Sequence, residues 1–205
     1  QFVSPTETNN SYLNRNYILV NVTATDSSLS NITIYLFNST QNQINSSLTT
    51  TSPNYINFSG LSDGLYFFNA TALDQLNNQN STANRNITLD TTKPLISFGT
   101  GTENNGVNKS QTFIYVNTSI TETNFANVTF LLYNSSSQVN KTTFTSITYN
   151  INWTGLPNQN YTYNVSVTDL ANNINTTETR RIKLDTVRLG VTIVNPLNSS
   201  YYTTS

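Results

Sequence analysis

The chain is one unit written twice, and that repetition limits what it can fold into more than any other feature. Tyr17-Ile18-Leu19-Val20-Asn21 recurs as Phe113-Ile114-Tyr115-Val116-Asn117, and Asn31-Ile32-Thr33 as Asn127-Val128-Thr129, at an offset of 96 residues. After one deleted residue, Phe58-Ser59-Gly60-Leu61 recurs as Trp153-Thr154-Gly155-Leu156, and Arg85 to Thr91 as Arg180 to Thr186. Ile193-Val194-Asn195-Pro196 restates Phe2-Val3-Ser4-Pro5 shortly before the sequence stops. The expected organisation is a first domain over 1–94, a second over 95–189, and residues 190–205 as the first strand of a third, truncated repeat or as a strand donated to a neighbouring subunit. The segment therefore reads as a portion of a longer array.

Within a unit the apolar period is two. Ile18, Val20, Val22 and Ala24 alternate with Leu19, Asn21 and Thr23, and Ile32, Ile34 and Leu36 continue the pattern, which predicts half-buried strands. Further strands are predicted over 54–58, 65–72 and 85–89, punctuated by Gly60, Gly64 and Asn-rich turns. About seven short strands in each unit, with no helical period, give an all-β fold of two packed antiparallel sheets.

Composition removes most chemistry. The chain has no His and no Cys, so imidazole bases, thiolates, disulfides and the usual zinc ligands are absent. Nine basic and ten acidic side chains leave a net charge of -1, which offers no field for nucleic acid. No apolar run reaches the roughly 18 residues of a membrane span, and no secretory signal opens the sequence. Asn, Thr and Ser supply 93 of the 205 residues, so the surface is polar without charge. No cofactor and no catalytic residue are expected.

Leu61-Ser62-Asp63-Gly64-Leu65-Tyr66-Phe67-Phe68-Asn69-Ala70-Thr71-Ala72-Leu73-Asp74 and Leu89-Asp90-Thr91-Thr92-Lys93-Pro94 carry a resemblance. This pattern resembles prokaryotic Ig-like repeats of cell-surface proteins, with a Gly-x-Tyr entry to the penultimate strand and a closing Leu-Asp-Thr-Thr-x-Pro. The second copy departs at Asn158-Gln159-Asn160 and Val187-Arg188-Leu189. The resemblance covers the whole chain and implies tandem antiparallel Ig-like β-sandwiches in an extracellular setting; the low charge and high Asn and Thr content point to an archaeal surface layer or appendage. It also implies that Tyr66 and Tyr161 are structural, as tyrosine corners whose hydroxyls bond nearby backbone.

Asn-x-Ser/Thr triplets are nearly twice as frequent as chance pairing gives. Nineteen occur, at Asn9, Asn21, Asn31, Asn38, Asn45, Asn57, Asn69, Asn80, Asn86, Asn108, Asn117, Asn127, Asn134, Asn140, Asn152, Asn160, Asn164, Asn175 and Asn198, where random placement gives about 10. An Asn/Thr-rich outer face alternating with an apolar inner face makes such triplets without modification. Yet Asn is a poor strand former, and repeated Asn at outward positions suits N-linked glycans, which add solubility and shield sheet edges.

The carboxylates recur too. Asp26, Asp74 and Asp90 reappear as Glu122, Asp169 and Asp185, which suits turns and caps; interdomain calcium is the alternative, and no metal is assigned. Lys93 and Lys183 are the nearest candidates for an isopeptide link, and Trp153 reads as core. Tyr201 and Tyr202 fit a first strand. The expected function is a non-catalytic extracellular structural or adhesive segment in a glycosylated rod, coat or filament. Its partners are neighbouring repeats or identical subunits. The alternative is a module that binds polysaccharide or a partner surface through the loop over 6–16 or through Tyr35, Phe37 and Tyr133.

Overall fold

A computed structural model describes residues 1–192 and 194. Asn198, Tyr201, Tyr202 and most of the segment 190–205 lie outside the described residues. The first sandwich contains β1 (Ser11–Leu13), β2 (Tyr17–Val22), β3 (Leu29–Phe37), β4 (Gln43–Thr49), β5 (Asn54–Ser59), β6 (Gly64–Asp74), β7 (Gln79–Ser81) and β8 (Arg85–Leu89). The second contains β9 (Leu95–Phe98), β10 (Val107–Lys109), β11 (Ile114–Thr121), β12 (Phe125–Asn134), β13 (Gln138–Phe144), β14 (Asn150–Trp153), β15 (Asn160–Asp169), β16 (Ile174–Thr176) and β17 (Arg180–Leu184). No helix occurs among the described residues.

In the first sandwich a sheet ordered β1-β8-β6-β3-β4, with β7 against β6, covers the pair β2-β5. In the second, β10-β17-β15-β12-β13, with β16 against β15, covers β14-β11-β9. Alternation produces this packing. Ile18, Val20 and Val22 turn inward from β2 while Tyr17, Leu19 and Asn21 stay half-buried on the other face. They join Ile32, Ile34, Leu36, Phe58, Tyr66, Phe68, Ile87 and Leu89 in one core, and Ile114, Val116, Phe130, Trp153, Tyr161, Tyr163 and Ile182 belong to a second.

One pairing in each sandwich departs from the antiparallel expectation. β1 runs parallel to β8, with Ser11 opposite Ile87, and β10 runs parallel to β17, with Val107 opposite Ile182. The remaining ladders are antiparallel. The repetition extends to irregularities, since the β3–β4 ladder slips between Leu36 and Phe37 and the β12–β13 ladder between Leu132 and Tyr133.

Side-chain pillars are duplicated as well. Arg85 lies 4.3 Å over the Phe2 ring and donates to the Glu7 carbonyl at 2.7 Å; Arg180 lies 4.3 Å over Phe98 and donates to the Glu103 carbonyl at 2.9 Å. Phe2 meets Phe68 edge-on at 5.4 Å, and Phe98 meets Tyr163 at 5.6 Å. Each pillar ties the start of a unit to its closing strand, so a unit is complete only when both ends of its sequence have arrived.

Candidate functional site

The linker between the sandwiches is short and tied on both sides. β8 ends at Leu89 and β9 begins at Leu95. Toward the first sandwich, Thr91 Oγ1 and Thr92 Oγ1 donate to the Asp63 carboxylate at 2.9 and 2.8 Å. Burial opposes ionisation of Asp63, but the Thr92 and Thr91 donors outweigh it and hold its pKa below the usual carboxylate value. Toward the second sandwich, Asn124 Nδ2 donates to Asp90 Oδ2 at 2.5 Å, and Asn173 Nδ2 donates to the Asp90 carbonyl at 2.8 Å.

The second half of this junction is a turn that the sequence writes twice. Asp74-Gln75-Leu76-Asn77-Asn78 and Asp169-Leu170-Ala171-Asn172-Asn173 each place a left-handed residue fourth, at φ 64 for Asn77 and 66 for Asn172. In both, the final Asn donates its main-chain and side-chain N–H groups to the Asp carboxylate: 2.9 and 2.7 Å for Asn78, 2.8 and 2.8 Å for Asn173. The side-chain amide of Asn78, with its main-chain N–H and that of Leu76, holds the Asp74 pKa below its ordinary value. Context separates the copies. Asn78 is exposed, while the preceding sandwich covers Asp169 and Asn173, leaving 1% and 3% accessible.

Asp90, Glu122 and Asp169 thereby come together, with ligand atoms within 4.8 Å of one another. Each also serves as a local cap: Asp90 Oδ1 accepts from Thr92 N, Glu122 Oε1 from Asn124 N, and Asp169 Oδ1 from Asn173 N. Among the described residues no Lys or Arg lies within ion-pair distance of the three. They are the residues that could hold a metal, offering three carboxylates where calcium takes six to eight oxygens. Asp26 and Asp185 stand apart from them.

The sequon asparagines divide by what their amide nitrogens do. Asn21 Nδ2 donates to the Ser4 carbonyl and Asn117 Nδ2 to the Thr100 carbonyl, each at 2.9 Å, clamping the segment that precedes β2 or β11. Asn164 Nδ2 donates to Thr179 Oγ1 at 3.2 Å, and Asn175 Nδ2 to the Pro94 carbonyl at 2.8 Å. A sugar on any of these four leaves the amide nitrogen a single N–H, the one already used in that hydrogen bond or its partner. Asn31 Nδ2 makes only a 3.5 Å approach to Ser30. Asn9, Asn38, Asn45, Asn80, Asn134 and Asn140 accept through Oδ1, which leaves the nitrogen uncommitted. Asn57, Asn69, Asn86, Asn108, Asn127, Asn152 and Asn160 make no side-chain hydrogen bond among the described residues.

Tyr66 Oη donates to the Ser62 carbonyl at 2.9 Å, and Tyr161 Oη to the Pro157 carbonyl at 3.0 Å, four residues upstream in both copies. Trp153 is in the second core, with Nε1 buried and unpartnered. Lys183 stands opposite Asn108 and Asn160 in the ladders, but its Nζ is 3.1 Å from the Asp185 carboxylate, and Lys93 is exposed. Tyr35 and Phe37 face outward from β3 with ring centroids 6.3 Å apart, and Phe67 stands opposite Phe37 on the same face; Tyr133 is on β12 of the other sandwich.

No family model and no curated protein matches the sequence. Solved structures match in fold. A marsupial T cell receptor aligns at a TM-score of 0.55 and 8% identity, over 86% of this chain and 71% of that one. Titin domains A168–A170 align at 0.50 and 10%, over 82% and 59%. Fibronectin(III)-like modules of Clostridium thermocellum CbhA align at 0.49 and 16%, over 90% and 93%. The chain is all-β and built of tandem antiparallel Ig-like sandwiches.

Proposed function

We propose that this segment is a non-catalytic, extracellular structural or adhesive spacer: Ig-like units joined end to end, carrying N-linked glycans, within a surface rod, coat or filament. The junction carries this reading. A linker held to one sandwich by Asp63 and to the next by Asn124 and Asn173 leaves the two units little freedom to swing. Rigid serial units serve to set a distance or bear load. The polar, weakly charged surface and the missing His and Cys fit such a role better than catalysis.

Small-angle scattering of the purified chain tests it. Strands of about nine residues at 3.3 Å, with end loops, give each unit roughly 35 to 45 Å of length, so the maximum dimension should fall at roughly twice that. A dimension near that of one unit, from sandwiches folded side by side, would sink the spacer reading.

A further inference from the structure

The outer face of the large sheet differs between the two sandwiches where their cores agree. On the first, Phe67, Asn69 and Thr71 point outward from β6, because Tyr66, Phe68 and Ala70 point into the core. The β3–β6 ladder sets Tyr35 opposite Asn69 and Phe37 opposite Phe67. Directly paired positions bring side chains together across strands. Asn69 is thus flanked by aromatic rings along its own strand and across the ladder, and Thr71 completes its sequon on the same face. All four flanking and acceptor side chains, Tyr35, Phe37, Phe67 and Asn69, are only half-buried.

The second sandwich supplies the comparison within the same chain. There Thr162 replaces Phe67, Leu131 replaces Tyr35, and the corresponding Asn164 is engaged with Thr179 while its Oδ1 is buried without a partner. The second copy keeps one ring of the three, Tyr133 in the place of Phe37 and opposite Thr162, and it loses both rings nearest the acceptor together with the free amide. A pyranose presents axial C–H groups on one face and hydroxyls at its rim. Aromatic faces cover the first, and neutral Asn and Thr side chains match the second.

We propose that Asn69 carries an N-linked glycan whose first sugar packs on the rings of Tyr35, Phe37 and Phe67; this rests on the glycosylation reading above. The attached sugar covers apolar surface that water would otherwise meet, and it explains why an aromatic cluster stands on an outward face.

The test begins with glycopeptide mapping by mass spectrometry of protein from its native cells. Tyr35→Ala and Phe67→Ala are then melted in the glycosylated protein and in a Thr71→Ala background, which destroys the sequon while leaving Asn69 and the rings in place. Occupied Asn69 is expected, with each ring deletion lowering Tm at least twice as far when the sugar is present. Equal losses in both backgrounds overturn the inference but leave glycosylation standing, as does a bare Asn69 among occupied sequons. A map in which every sequon of these 205 residues is bare overturns the glycosylation reading and this inference together. Asn69 bare, with free cellohexaose bound at the rings, assigns the face to an external saccharide and also overturns it.

Discussion

At the scale of single residues, the two copies show what one hydroxyl does in a core. Tyr163 occupies the place of Phe68, and its Oη donates to the Glu103 carbonyl at 3.0 Å. Burial pushes its phenol up to about 12, with the nearby Arg180 guanidinium pulling the other way. A phenol held neutral in the fold contributes stability that is complete below its ordinary value near 10 and is lost as pH rises from there through 12. Tyr163→Phe should therefore flatten the alkaline limb of a plot of Tm against pH. At neutral pH it should cost only about 1 kcal/mol, since the Glu103 carbonyl keeps the Arg180 donor. An alkaline limb unchanged in the variant would show that another group is responsible.

Among elements, legibility followed polarity. β2, β3, β5, β6 and β8 carry their apolar residues on the inner face, so period two reveals them. β4 does the reverse: Ser47 and Thr49 are its half-buried positions, while Ile44 and Leu48 are exposed at 46% and 65%. An edge strand with a polar inner face has no alternation for a sequence reader to find. The sequons show a similar limit. Outward parity at Asn21 and Asn117 was visible, but the folded-back segments that take their amide nitrogens were not. The recurrence of the carboxylates was visible too. Their meeting was not, because Asp90 closes one unit while Glu122 and Asp169 belong to the next. The Asp-to-Asn turn offers a direct measure of that difference. Asn173→Ala removes two donors from buried acceptors and should cost about 2–3 kcal/mol, whereas Asn78→Ala at the exposed copy should cost about 1 kcal/mol or less. Thermal denaturation of the two variants decides it; equal losses would mean that the junction does not desolvate the turn.

For the whole molecule, the parallel edge pairs acquire a meaning once the units are viewed as links in a chain. β1 lies near the beginning of its unit and β8 at its end, and they run side by side through Ser11–Ile87, Tyr12–Thr88 and Leu13–Leu89. Pull the two ends apart and these hydrogen bonds, lying across the direction of pull, must slide past one another together; they cannot open one at a time like a zipper. The same holds for Val107–Ile182, Asn108–Lys183 and Lys109–Leu184. Forced unfolding follows the barrier to rupture rather than equilibrium stability, so resistance to tension should depend on these short pairs more than on either core. In single-molecule stretching, Leu13→Pro, which deletes a main-chain donor on the side of β1 whose Leu13 carbonyl accepts from Asp90 N, should lower the rupture force of one unit and leave the other unchanged. In the surface spacer proposed above, each unit would then be built with seams that hold hardest along the axis on which the environment tugs.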